Sequence, residues 1–352
     1  MDENGLPALE GDGTAPESQF WSTAQLVDAG MNDRDIRKSV LAGRLKRLRR
    51  GYYTSADLWK DLAPKDRELQ QILAHAHALG GKPAGAYSHG TAARLHGLCL
   101  WQVEPLIHLT QSFKSSSSKG PVDVRRHVRG LPSNELTTVR SLPVTTLERT
   151  VVDCAASLGY RQALIIADHA ARLGADQEQM STMASAMNGV CGVKAVRRVL
   201  ADLNPLSESP GETLTRVLIM EIGLVMPHLQ LKVVTRSGGH RLDFGWEDAK
   251  VALEFDGDTK YFDYAPTPTV LLAERKREKA LMEQGWVFVR LEWKDLFQPE
   301  EVERRINDAF RKASAMRRID RPGDGVSPHG GQRKFEPLSP RREPGRRSAR
   351  AS

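Results

Sequence analysis

The 352-residue chain has only three cysteines, Cys99, Cys154 and Cys191, widely separated and without a C-x-x-C pair. That excludes a zinc ribbon or disulfide framework and fits reduced thiols in a cytoplasmic protein. Long hydrophobic runs are missing: apolar stretches end after a handful of residues, against the roughly 20 a membrane-spanning helix needs. The opening MDENGLPALEGDG is acidic and has no apolar centre, which argues against a secretory signal. Neither a G-x-S-x-G nucleophile turn nor a G-x-x-x-x-G-K-[ST] phosphate loop occurs, so the enzyme classes built on them are excluded. What is present, 40% hydrophobic and 27% charged residues, describes a globular chain long enough for two or three domains.

The net charge of +7 is unevenly placed. Residues 1–17 carry five acids and no base, whereas residues 18–55 carry eight bases and three acids. Residues 56–205 are mildly basic, and residues 206–312 carry 19 acids against 16 bases. The Pro/Gly/Ser/Arg-rich segment 313–352 has ten bases and four acids. These shifts predict a disordered acidic leader, a basic N-terminal module, a middle domain, an acidic C-terminal domain and a disordered basic tail.

In the N-terminal module, Ser22-Thr23 offers a cap for a helix over 24–29 that Gly30 stops. A second cap at Asn32 or Asp33 opens a helix over 34–42, with Ile36, Val40 and Leu41 expected on its inward stripe. After Gly43, the run from Arg44 to Thr54 reads as a short β-ribbon. Two short helices, a glycine turn and a ribbon are the layout of a winged helix-turn-helix, whose second helix enters the major groove while the wing lies on phosphates. Arg34, Arg37 and Lys38 lie off the apolar stripe of the second helix, and Arg44, Lys46, Arg47, Arg49 and Arg50 crowd the ribbon. Cations so placed suit double-stranded DNA, with binding that weakens steeply in salt. A solvated basic face or an acidic protein partner is the alternative reading.

The segment FWSTAQLVDAGMNDRDIRKSVLAGRLKRLRRGYY resembles the N-terminal winged helix of AbiEi-type antitoxins of type IV toxin–antitoxin systems. YSHGTAARLHGL (87–98) and LPVTTLERTVVDCA (142–155) resemble that family's following domain. The resemblance implies autoregulation through DNA binding and a cognate toxin as a partner.

Residues 65–79 and 88–98 read as helices, 106–110 and 122–126 as strands, and 146–158, 161–173 and 194–203 as amphipathic helices. No catalytic motif falls here. His75 and His77, two apart on a helix, point to different faces and make a poor metal pair. His89 and His96 read as helix-surface or core residues, and the region as scaffold and connector.

From residue 206 the pattern is a helix (212–222), strands at 229–235, 241–246 and 250–255, a helix (270–284), a strand (286–291) and a last helix (299–312). That order predicts an α+β core. Leu242, Phe244 and Trp246 alternate with Asp243, and Val251, Leu253 and Phe255 with Glu254 and Asp256. Period-two geometry then puts Asp243, Glu254 and Asp256 on polar faces of two paired strands, where they can converge. Clustered carboxylates are costly unless a cation neutralises them or one holds a proton. The economical occupant is a hard divalent ion with oxygen ligands, Mg²⁺ or Mn²⁺. Such an ion activates water and stabilises charge on phosphate oxygens. Lys260 is placed to position that water, Glu212 to ligate metal or act on water, and Lys276 and Arg277 to hold a nucleic-acid strand. Trp246, Trp286 and Trp293 read as packing residues.

Gly211-Glu212, R-L-D-F at 241–244, V-A-L-E-F-D-G at 251–257, Lys260-Tyr261, E-R-K-R-E at 274–278 and G-W-V-F-V-R-L-E-W-K-D-L at 285–296 together resemble the restriction-endonuclease-like PD-(D/E)xK superfamily. The resemblance is specifically to its branch related to very-short-patch repair endonucleases. It implies that Asp243 and Glu254 are metal-site acids and Glu212 the helix acid. The superfamily's lysine two residues after the second acid is replaced here by Asp256, which leaves that role to Lys260 or Lys276. The expectation is a multidomain α+β protein: an N-terminal winged helix-turn-helix, a mixed α/β middle region and a restriction-endonuclease-like α-β-β-β-α-β core. Its expected function is Mg²⁺-dependent hydrolysis of DNA phosphodiesters, or, alternatively, antitoxin-like regulation with the nuclease fold retained for binding.

Overall fold

A computed structural model describes residue 6 and residues 18–113, 121–187, 189–257 and 268–319. The chain is a multidomain mixed α+β protein with three separate β-sheets among the described residues. Apart from Leu6, the acidic leader 1–17 lies outside the described residues, as does everything after 319.

The N-terminal unit runs β1 (Trp21–Ser22), α1 (Thr23–Asp28), α2 (Asp33–Leu41), β2 (Leu45–Arg49) and β3 (Tyr52–Ser55), with sheet order β1-β3-β2. Both helices start where the caps predict. Ser22 Oγ accepts the Gln25 N–H while the Gln25 side chain accepts the Ser22 N–H, and Asn32 Oδ1 accepts from Arg34 and Asp35. Gly30 and Gly43 end them with positive φ, a conformation glycine adopts without strain. Trp21, Leu26, Met31, Ile36 and Leu45 form the core. Leu6 is buried in the same cluster, so at that residue the leader is part of the fold. Leu41, expected inward, is 89% exposed. The inward positions are Ile36, Ser39 and Val40, and at about 100° per residue Leu41 sits roughly 140° around the helix from Ile36.

The middle unit contains α3 (Ala56–Asp61), α4 (Pro64–Ala78), β4 (Ala86–Tyr87), α5 (His89–Leu95), β5 (Ile107–Gln111), β6 (Val124–Val128), β7 (Leu136–Val139) and β8 (Leu142–Thr145). The helices α6 (Leu147–Ser157), α7 (Tyr160–Arg172), α8 (Gln177–Ala186) and α9 (Val193–Asp202) follow. Its sheet has order β6-β5-β4-β8-β7, with α4 and α5 packed through Ile72, Leu73, Leu95, Ile107 and Val144. Helices α6 to α9 surround a second core containing Val152, Leu164, Ile166, Met180 and Val196.

The C-terminal unit runs α10 (Pro210–Glu221), β9 (His228–Thr235), β10 (Gly238–Trp246), β11 (Val251–Phe255), α11 (Pro268–Met282), β12 (Val287–Leu291) and α12 (Pro299–Ile319). The sheet order is β12-β11-β10-β9, with β11 and β12 parallel and the other pairs antiparallel. Helix α12 continues past the expected end at Lys312, because Ala309 and Ala313 extend the buried stripe of Val302 and Ile306. The segment 313–319 is therefore helix rather than tail.

The boundary near residue 205 is bridged by a buried ion pair. Asp168 of α7 accepts from Arg216 (2.7 Å) and Thr213 (2.8 Å) of α10 and from the Asn204 N–H. Asp168 and Arg216 are both almost fully buried. Val217 and Met220 of α10 join the middle unit's helical core, so α10 belongs to both units.

Candidate functional site

The carboxylates of the C-terminal unit gather where the sheet opens. The β10–β11 ladder runs through Phe244↔Leu253; beyond that pair Asp243 Oδ2 instead accepts the backbone N–H of Phe255 at 3.1 Å. On the other side of β10, Gln230 of β9 adopts φ +51°, a left-handed conformation uncommon for a non-glycine residue and often found at functional sites. The alternation expected along β10 breaks at this point. Phe244 and Trp246 pack with α10 and α12, whereas Leu242 packs with Val233, Ala252 and Trp286 on another cluster.

Glu212 reaches the opening from the first turn of α10. Ser209 Oγ caps that turn by accepting the Glu212 N–H. Gly211 is needed because a Cβ there would overlap the Phe255 ring. The Glu212 Oε2 accepts the Glu208 N–H and the Gln230 side-chain amide, both at 2.9 Å. Burial raises the Glu212 carboxyl above its usual range and the neighbouring Asp243 charge adds to this, against the lowering by the Glu208 N–H and Ser209. Asp243 is raised chiefly by burial, partly offset by the Phe255 N–H and by Arg277 and Arg241. Two adjacent carboxyls raised by desolvation are the electrostatic condition a bound cation relieves.

Glu254 is buried and is held by Arg277 of α11, with Arg290 of β12 at 3.6 Å. The second contact follows from the parallel register, which pairs Glu254 with Arg290. Asp256 is half exposed and 3.5 Å from Arg290, which also meets Glu278 at 3.4 Å. The expected convergence of Asp243, Glu254 and Asp256 is therefore incomplete. Among the described residues the three do not form a group with ligand atoms all within 4.8 Å of one another, and Glu254 is engaged by the two arginines instead. Lys276 is exposed, and Arg277 is the α11 cation that turns to the acids. Lys260 lies outside the described residues.

The donor set, oxygen atoms only and desolvated, fits a hard divalent ion in kind. Asp243, Glu254 and Glu212 would hold it, with Arg277 and Arg290 displaced from Glu254.

In the N-terminal unit, Arg34, Arg37 and Lys38 on α2 and Arg44, Lys46, Arg47 and Arg50 on or beside β2 are all exposed. Arg49 is not part of this surface. It turns inward and forms a two-pronged ion pair with Asp123 just before β6 (2.5 and 3.2 Å), its side chain only 12% exposed. The bulge between Arg47 and Arg49 re-aims the strand there.

Sequence reasoning missed one cluster altogether. His89, His108 and His127 come together in the middle unit with nitrogens within 4.8 Å of one another. The parallel β5–β6 register sets His108 diagonally from His127, and no local spacing in the chain signals such a pairing. His75 and His77 do face apart, as expected, toward Tyr87 and Tyr52 respectively. Trp246 and Trp286 are buried, and Trp293 packs edge-on against Phe255.

No family model matches the chain. Two curated proteins of Mycobacterium tuberculosis, the uncharacterized protein MT2308 of strain CDC 1551 and the uncharacterized protein Rv2248 of strain H37Rv, are each 28% identical over 142 residues. Those residues are 40% of this chain, and the match spans about half (51%) of each relative's length. The crystal structure of the Rv2827c protein of M. tuberculosis aligns with a TM-score of 0.35 and 16% identity, over 61% of this chain and 83% of that one. Among the described residues no helix is long and apolar enough to cross a membrane.

Proposed function

We propose that the chain is a DNA-binding protein whose C-terminal unit is a Mg²⁺-dependent endonuclease-like domain. In this reading α1, α2 and the β2–β3 hairpin act as a winged helix on duplex DNA, through Arg34, Arg37, Lys38, Arg44, Lys46, Arg47 and Arg50. The observation that carries the nuclease half is the opening of the β10–β11 ladder beside Asp243 and Glu254, with Glu212 brought to Asp243 by α10. A Mg²⁺ ion held there would supply a more acidic water and neutralise charge on the scissile phosphate. Asp243 and Glu254 would hold the ion, and Glu212, its carboxyl raised by burial, would orient the attacking water. Arg277 and Arg290, released from Glu254, are placed to meet phosphate oxygens.

A specific observation favours a second reading. Arg277 and Arg290 already neutralise Glu254, which is the state expected of a nuclease fold retained for binding in an antitoxin-like regulator, with a cognate toxin as the further partner. Incubating the purified chain with duplex DNA and Mg²⁺ or Mn²⁺ separates the two. Metal-dependent cleavage that disappears in Asp243→Ala/Glu254→Ala supports the nuclease. Tight, salt-sensitive binding without turnover supports the regulator.

A further inference from the structure

The geometry points to a transition-metal site in the middle unit, taking Zn²⁺, Co²⁺ or a similar imidazole-seeking divalent ion through His89, His108 and His127, with Asp153 as its anchoring carboxylate. His108 Nδ1 and His127 Nε2 face each other at 2.9 Å. Nitrogens sharing a tetrahedral zinc stand about 3.3 Å apart when each Zn–N bond is about 2.0–2.1 Å, so a shift of a few tenths of an ångström opens room for an ion where the two atoms now share a proton. His89 lies over His127 with ring centroids 3.8 Å apart. Its Nδ1 faces Ser88 Oγ at 2.9 Å and Asp153 Oδ2 at 3.9 Å, leaving Nε2 as the ligand atom. Bringing that in-plane lone pair to the ion takes a turn of the ring about its Cβ–Cγ bond, in which Nδ1 leaves Ser88 Oγ for a new acceptor, Asp153 Oδ2 being the unsatisfied one beside it. The resulting carboxylate–histidine–metal relay is a common outer arrangement of metal sites.

Three further observations point to a ligand. Asp153 is 1% exposed, and its Oδ2 has no hydrogen-bond partner although Oδ1 is held by Arg149. A buried carboxylate oxygen left so is costly, and an ion or an ion-held imidazolium-like N–H resolves it. His89 has φ +52°, a strained conformation that holds its ring against His127 and His108 at the start of α5. Asp153 also lines an open cavity of about 350 Å³ with Arg129, Glu135, Arg149, Val152 and Met187, so solvent reaches the carboxylate side of the cluster.

Burial lowers the pKa of all three imidazoles, His108 and His127 to about 4, with the neighbouring histidines and arginines adding to the effect. The charged groups acting on the cluster are Arg94, Arg125, Arg129 and Arg149, against Asp153 and Glu135, the two acids that pair with Arg149. This cationic frame repels a hard ion held by charge alone. Binding therefore depends on nitrogen–metal bonding, and Mg²⁺ is excluded from this site.

The test uses the untagged full-length chain, titrated with Co²⁺ by visible absorption and with Zn²⁺ by calorimetry. The expected result is one ion per chain, with the ligand-field bands of a nitrogen-rich site that excess Mg²⁺ leaves unchanged. His127→Gln and His108→Ala should each weaken binding by at least about a hundredfold, Asp153→Asn by about tenfold, and the exposed His228→Ala not at all. Should a variant fail to fold, Zn²⁺-dependent protection of His89, His108 and His127 from diethyl pyrocarbonate in the wild type decides the matter. Absence of binding, binding unchanged in His127→Gln, or no protection of these three histidines overturns the proposal and leaves a metal-free hydrogen-bonded stack.

Discussion

In the N-terminal unit Arg34, Arg37, Lys38, Lys46, Arg47 and Arg50 stand exposed on one helix, one strand and the turn that follows it. In the C-terminal unit Glu212 and Glu254 are buried, Asp243 is half-buried, and guanidinium groups hold Glu254. The difference is one of dielectric. Exposed cations cost the fold little and act at long range on a polyanion, in a manner salt screens. Buried acids burden the fold and act only on what enters with them. In the proposed reading the N-terminal surface serves encounter with DNA and the C-terminal opening the holding of a compact charge.

The largest expected effect comes from the buried charges that tie the middle and C-terminal units. Asp168→Ala leaves Arg216 buried without its partner and should lower stability by about 3–5 kcal/mol, read as a shift of the urea midpoint with unchanged slope. A smaller loss would mean that water reaches the pair. Next, Asp243→Ala/Glu254→Ala should reduce metal-dependent DNA cleavage by at least about a hundredfold while leaving duplex binding intact. Equal loss of binding would erase the contrast between the two ends.

The N-terminal surface gives a subtler signature. Arg34→Ala, Arg37→Ala and Lys46→Ala should each reduce the slope of log affinity against log salt by about 1, with no change in melting temperature. Arg49→Ala should do the reverse: little change in that slope, and a stability loss below about 1 kcal/mol from the lost contact to half-exposed Asp123. The smallest effect is a pH dependence. The Asp243 carboxyl is raised in the folded state, so its ionisation costs stability as pH rises from its unfolded to its folded pKa. Asp243→Asn should therefore stabilise the chain at pH 7, by less than about 1 kcal/mol, with the gain fading as pH falls below about 4. Thermal melts across pH measure it; a gain that persists at low pH would assign the effect to packing.

Much of this was legible in the chain. Ser22, Asn32 and Ser209 mark helix starts because a side-chain oxygen must satisfy the first free N–H groups of a helix. Gly30, Gly43 and Gly285 mark ends because only glycine takes the left-handed turn cheaply. The order of elements from 206 onward followed from periodicity. Leu41 misled because an apolar residue at a helix end falls on whichever face the last turn presents. Helix α12 outran its expected end because burial of Ala309 and Ala313 rests on a partner the chain pattern does not name.

Local chemistry along the chain thus determined the helices, strands, turns and the uneven distribution of charge, since caps, glycines and hydrophobic periods act over a few residues. Which charges meet was decided only by the tertiary structure. Arg49 with Asp123, Arg290 with Glu254, Asp168 with Arg216, and the three histidines of the middle unit are each brought together by sheet register or helix packing between distant segments. Ionic and metal-binding contacts act over a few ångströms of space, and spacing along the chain does not encode that distance.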